Sequence, residues 1–260
     1  GPFALNAFAD SGTVNFEDSV GAGVGNALDS LLVTASTANV AADISADNGV
    51  SFAGTEQINL DAANVEIDAD ADTNGSGAIF FATDSIVAGG VDLTLTAGAD
   101  ITINDAVVNG FTVSDAGAPT INLFGTISAQ AAINLGGNTV FLGDDAALHN
   151  DEVGGGAITA TGPIDGEHEF TLSSGGEVKL GPIGANEQPT ELRIDNSNNT
   201  ILDADTSVDG DIVILASAGV AVAIDVDGAM TSDNGSINLN AGGGGIELNG
   251  AVRANGDVTL

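Results

Sequence analysis

A three-residue pattern, apolar then polar then apolar, recurs from near the start of this chain to its last residues. Val14-Asn15-Phe16, Val50-Ser51-Phe52, Ile58-Asn59-Leu60 and Val65-Glu66-Ile67 are early examples. Leu93-Thr94-Leu95, Ile121-Asn122-Leu123, Phe170-Thr171-Leu172, Ile237-Asn238-Leu239 and Val258-Thr259-Leu260 continue it. A period of two puts the flanking residues on one side of an extended chain and the middle residue on the other. The middle residues are mostly Asn, Thr, Ser or charged, with Leu32, Phe80, Phe141 and Val213 as exceptions. Each triplet therefore reads as a very short strand with one dry face and one wet face. Nowhere do apolar residues persist at i, i+3, i+4 and i+7, so helices are not expected.

The triplets return about every 7 to 12 residues, separated by Gly, Asn, Asp, Ala and Ser. Strands this short are unusual in a sandwich, where about 5 to 6 residues is common. Stacking of one repeated unit, with small residues at the corners, favours a solenoid instead. The expected fold is all-β, a right-handed parallel β-solenoid. Three triplets per coil give about 20 to 25 residues per turn and about 11 coils. At ~4.8 Å per coil, such a rod is about 50 Å long. Phe16, Phe52, Phe80, Phe81, Phe111, Phe124, Phe141 and Phe170 are expected to fill its core, although outward Leu32, Phe80 and Phe141 would equally suit a lateral contact patch.

A longer repeat is offset by about 160 residues. Gly12 to Phe16 followed by Val20-Gly21 matches Gly176 to Leu180 followed by Ile183-Gly184. Leu31-Leu32-Val33 likewise matches Leu192-Arg193-Ile194. The expected organisation is a solenoid module over 3–142, an irregular coil or outward loop over 143–169, and the solenoid resuming over 170–260 as the start of a second long repeat. Gly1-Pro2 is the pair a tag-removing protease leaves, and Val258-Thr259-Leu260 reads as a strand with no turn after it, so both ends are expected to be cut boundaries.

Charge narrows the function classes. Asp and Glu number 37 against 3 Lys and Arg, for a net charge of -34. Lys179, Arg193 and Arg253 are too few to neutralise a phosphate backbone, so nucleic acid is not an expected partner. Anionic membrane surfaces are disfavoured on the same ground. The longest uncharged apolar run, Ile212 to Ile224, falls short of the ~20 residues of a membrane span. Absence of Cys excludes disulfides, thiol nucleophiles and zinc–thiolate sites. With 43% hydrophobic residues the chain nonetheless has the material for a core, and the acids are expected at corners and outward positions.

Asp68, Asp70, Asp72 and Asn74 place oxygen ligands at alternate positions ahead of Gly75, as calcium loops do. Calcium is the only ligand the sequence proposes, and no cofactor is required. The glycine comes late for a calcium loop and Ile79 stands where a bidentate Glu is expected, so a solvated acidic corner is the competing reading. His149 and His168 read as loop residues, and Gly242 to Gly245 as a corner.

The runs Asp92 to Asn104 and Ile246 to Leu260 resemble repeats of large bacterial surface exoproteins of the filamentous-haemagglutinin-like kind. That resemblance implies a secreted or cell-surface protein of great length with an adhesive or matrix role. The expected function is a structural rod, spacer or adhesive segment, not an enzyme, with self-association end to end or laterally and an unknown surface ligand. One alternative is a polysaccharide-degrading β-helix enzyme, a lyase or glycoside hydrolase, and a second is a calcium-dependent structural module. Gly143-Asp144-Asp145 and Arg193-Ile194-Asp195 echo two pieces of the polygalacturonase pattern, but the Gly-His-Gly piece is missing and Asp195 replaces its Lys.

Overall fold

A computed structural model describes residues 3–21, 26–81, 86–87, 90–114, 118–150, 156–216 and 221–260. Among them every regular element is a strand and the strands pair in parallel, stacked as a β-solenoid of about 11 turns. The chain divides into two compact units, Gly1–Asn122 with Ile127–Ala129, and Leu123–Thr126 with Gln130–Leu260.

Each unit is built on three ladders, because each turn carries three triplets. In the first unit one ladder stacks Leu31, Val50 and Ile79, then Ile101 on Ile79. A second takes Ala38, Ile58, Ile86, Ala106 and Ile127 in turn. A third runs from Ile44 through Ile67 and Leu95 to Val113. In the second unit the corresponding ladders include Val140 on Ile164, Leu172 on Ile194 on Ile214 on Leu239, and Ile158 on Val178 on Thr200 on Ile224. Partners on successive coils lie 19 to 25 residues apart at many corners, which is the turn length the triplets imply.

The triplets bury as their period dictates. In Val50–Phe52, Ile101–Ile103 and Thr120–Leu123 the apolar residues are buried and the middle one is half-buried. Phe52 and Phe81 stack across a coil boundary, ring centroids 5.5 Å apart and planes 16° from parallel. Phe16, Phe111 and Phe170 are also buried. Phe80 and Phe124 are not, at 41% and 40% exposed, and Phe141 is half-buried. The strand period, not hydrophobicity, decided their side: Phe80 and Phe141 are middle residues.

Two strands are far longer than the others described, Leu5–Phe16 at 12 residues and Leu31–Val40 at 10. Each rounds a corner between two ladders without a break. The register between them slips between Ala9 and Thr13, where Asp10 takes a φ of 25°. The stretch 143–169, expected as an irregular coil or outward loop, holds the strands Ala146–Asn150, Ile158–Ala160 and Ile164–Asp165 in register with their neighbours. Residues 151–155 lie outside the described residues.

Val20-Gly21 and Ile183-Gly184, which match in the sequence, form corners of the same kind. Val20 bridges Ile44, and the Ser45 N–H donates to Val20 O at 2.8 Å. Ile183 bridges Thr206, and the Ser207 N–H donates to Ile183 O at 2.9 Å. Gly21 and Gly184 follow with φ of 73° and 68°, and a Cβ on either would stand 2.1 Å from the carbonyl oxygen of Ser45 or Ser207. Only glycine meets both demands.

Candidate functional site

A stack with this charge relieves repulsion between carboxylates on many neighbouring coils, since strands pair at ~4.8 Å. Two devices do so. The first sets an asparagine one coil from an acid: Asn48 Nδ2 donates to Asp29 at 2.9 Å, Asn109 to Asp92 at 2.7 Å and Asn199 to Glu177 at 2.9 Å. Asn234 donates to Asp209 at 2.6 Å and Asn249 to Asp227 at 3.1 Å. The second is a backbone N–H of the next coil. Asp43, Asp145, Asp205 and Asp211 accept from Glu66, Glu169, Ala229 and Ser236 at 2.7 to 3.0 Å. A hydrogen bond to a charged acceptor contributes about 1.5–3 kcal/mol. On a wet face of the first unit, Asn39 Nδ2 donates to Asn15 and Asn59 Nδ2 to Asn39, at 2.7 and 2.8 Å. This is a short amide ladder.

The four residues of the predicted calcium loop are held largely by their own turn. Asp70 is 3% exposed and its carboxylate accepts the Gly75 N–H at 3.0 Å. Asp68 accepts the Asp70 N–H at 3.0 Å, and Asp72 accepts both the backbone N–H and Nδ2 of Asn74. Ser76 Oγ ties Asn74 to Asn48 on the preceding coil. Burial raises the Asp68 pKa above its ordinary 3.8, with Asp70 and Asp47 pushing the same way against the Asp70 N–H bond. Asp47 is raised as well, by desolvation and then by Asp72, Asp29 and Asp70. The corner is thus crowded with negative charge, while three of its carboxylates already have N–H donors.

The trio the sequence did not assemble is Asp144, Asp145 and His168. Among the described residues it is the group of metal-capable side chains whose ligand atoms lie within 4.8 Å of one another. His168 Nδ1 stands 3.8 Å from Asp145 Oδ1 and 4.0 Å from Asp144 Oδ1. Both carboxylates are exposed, at 69% and 72%, so the contact with the imidazole is weakly held. The register explains the meeting: Ala146 pairs with Phe170, so residues just before each strand share a corner. A turn length of about 20 to 25 residues beyond the Asp pair covers several positions, His168 among them, and the register selects it. An open groove beside the trio is lined by Thr126, Asp145, Ala146, Ala147, Glu169 and Thr171.

Arg193 sits in register with Thr171, next along the same ladder. Its Nε donates to Asp195 Oδ1 at 2.6 Å, and its guanidinium lies 4.0 Å from Glu191. Glu191 pairs in register with Glu169, and burial followed by that neighbour raises its pKa above 4.5 despite Arg193. Lys179 makes a 2.8 Å ion pair with Asp203, whose hydrogen bond holds the ammonium above its ordinary 10.5. On that same face Asp225 stacks in register on Glu247, and burial, then Asp227, Glu247 and Asp203, raise its pKa.

No protein-family model, curated protein or solved structure matches the chain. No helix among the described residues is long and apolar enough to cross a membrane.

Proposed function

We propose that the chain is a structural spacer or adhesive segment of a large secreted or cell-surface protein, in keeping with the resemblance of its repeats to filamentous-haemagglutinin-like exoproteins. The observation that carries this reading is where the acids are spent. Asp29, Asp92, Asp209, Asp211, Asp227 and Glu177 each take a donor from the next coil, so the carboxylates join turn to turn instead of converging on one groove. Parallel stacking of this kind supports a role that needs length and solubility, with the outward charge keeping the surface hydrated and unaggregated.

A second reading, a polysaccharide-degrading enzyme, draws on Asp144, Asp145 and His168 beside an open groove, with Arg193 and Asp195 further along the same ladder. General acid–base work needs groups within reach of a bound sugar and a pKa set apart from its neighbours. One experiment separates the readings. The chain is incubated with acidic and neutral polysaccharides, and beads coated with it are presented to the same polymers and to cell surfaces. Under the spacer or adhesive reading no new chain ends appear, whether or not beads are retained. Release of fragments by the native chain, lost on Asp145→Asn, would transfer the protein to the enzyme class.

A further inference from the structure

Six asparagines in this chain precede glycine: Asn48, Asn74, Asn109, Asn234, Asn249 and Asn255. Four of them, Asn48, Asn109, Asn234 and Asn249, are among the asparagines that donate Nδ2 to an acid on the preceding coil. The same dipeptides therefore make the corners and hold the charge apart. Asparagine before glycine is also the most reactive amide arrangement in a polypeptide, because no side chain shields the following backbone nitrogen. We infer that Asn48 and Asn249 are self-modifying positions, whose deamidation converts acid–amide contacts between coils into acid–acid contacts and loosens the stack there.

The chemistry needs only water. The backbone nitrogen of Gly49 or Gly250 loses its proton and attacks Cγ of the preceding asparagine. The new C–N bond closes a succinimide, and the side-chain amide leaves as ammonia. Water then opens the ring at one of its two carbonyls, giving aspartate or isoaspartate. The hydrogen-bond pattern selects the positions. Gly75 donates its N–H to Asp70, Gly235 to Ser232 Oγ and Gly256 to Gly235 O. Gly110 is the first residue of a paired strand. Gly49 and Gly250 lie outside the strands, and their N–H groups donate to no described residue. Asn48 and Asn249 are themselves exposed.

The consequence follows from the partners. Asn48 donates to Asp29 and accepts from Ser76 Oγ, so its amide is oriented with nitrogen toward the acid. An aspartate in its place still accepts from Ser76 but sets a second negative charge against Asp29. At Asn249 the new charge faces Asp227, beside Asp225. Isoaspartate also lengthens the backbone by one carbon between Cα of residue 249 and Gly250, directly after the N–H that Asn249 donates to Val226 O at 2.9 Å.

The sequence supplies its own controls. Asn199 donates to Glu177 and Asn186 to Asp165 with the same geometry, yet they precede Thr200 and Glu187. The folded chain is held in mildly alkaline buffer, with a mildly acidic sample for reference, and mapped by mass spectrometry after digestion. Conversion, seen as an amide-to-acid mass gain with isoaspartate present, is expected first at Asn48 and Asn249, with Asn186 and Asn199 intact and the acidic sample unchanged. Equal rates at Asn48, Asn249 and Asn199 would overturn the assignment, and so would protection of all six in the folded chain. The converted form, separated by its added negative charge on anion exchange, and the variants Asn48→Asp and Asn249→Asp are then melted. Each conversion is expected to lower the midpoint by about 2–4 °C, less at high salt. Midpoints equal to that of the fresh chain would overturn the loosening.

Discussion

At the scale of single residues, the molecule depends on positions where no side chain fits and on positions where one acid meets one donor. Gly184 belongs to the first kind. A methyl there combines the left-handed penalty with a 2.1 Å approach to Ser207 O. Gly184→Ala is expected to cost about 2–4 kcal/mol in denaturant unfolding. Gly137→Ala is the matched reference, because a Cβ at Gly137 has nothing within 4 Å, and it should leave stability nearly unchanged. Gly21→Ala should reproduce the Gly184 loss, since the two corners share their geometry. Both glycines were visible in the long sequence repeat, but the carbonyl each one touches was not.

At the scale of strands and corners, the alternation of dry and wet positions was legible residue by residue. It was strong enough to turn Phe80 outward while Phe81, its neighbour, is buried against Phe52. What stayed hidden was which corner lies above which. Asp144 and Asp145 meet His168 only because the ladders place Ala146 on Phe170, and the sequence between them includes an irregular run of glycines. Crowded corners also carry a pH signature. Asp68 and Asp225 keep protons above 3.8, and Glu191 above 4.5, each chiefly because burial disfavours the charged form. In the window just above those values the folded chain binds protons that the unfolded chain has released. These groups therefore add stability as pH falls toward about 4, and that contribution is lost as pH rises through the raised values. The melting midpoint should climb on mild acidification from neutral pH. Asp68→Asn should flatten part of that slope; an unchanged slope would remove Asp68 from the account.

At the scale of the whole molecule, a net charge of -34 with parallel stacked strands makes ionic strength a stability variable. Like charges about 4 Å apart repel by about 1 kcal/mol even in water, and salt screens them over about 10 Å at 0.1 M. The midpoint should therefore rise with sodium chloride. Calcium tests the loop at Asp68, Asp70, Asp72 and Asn74 when compared with sodium at matched ionic strength. Because Asp68, Asp70 and Asp72 already accept N–H donors, coincident curves are the expected result, and a separate calcium-induced rise would give that loop a ligand. The sequence alone determined that this chain forms an all-β solenoid with about three short strands per turn, since a period of two and small residues at corners act through local geometry. Only the tertiary structure decided which acid meets which amide, imidazole or N–H. Turns differ in length, and the neighbour one coil away is chosen by hydrogen-bond register between parallel strands, which no count along the chain can supply.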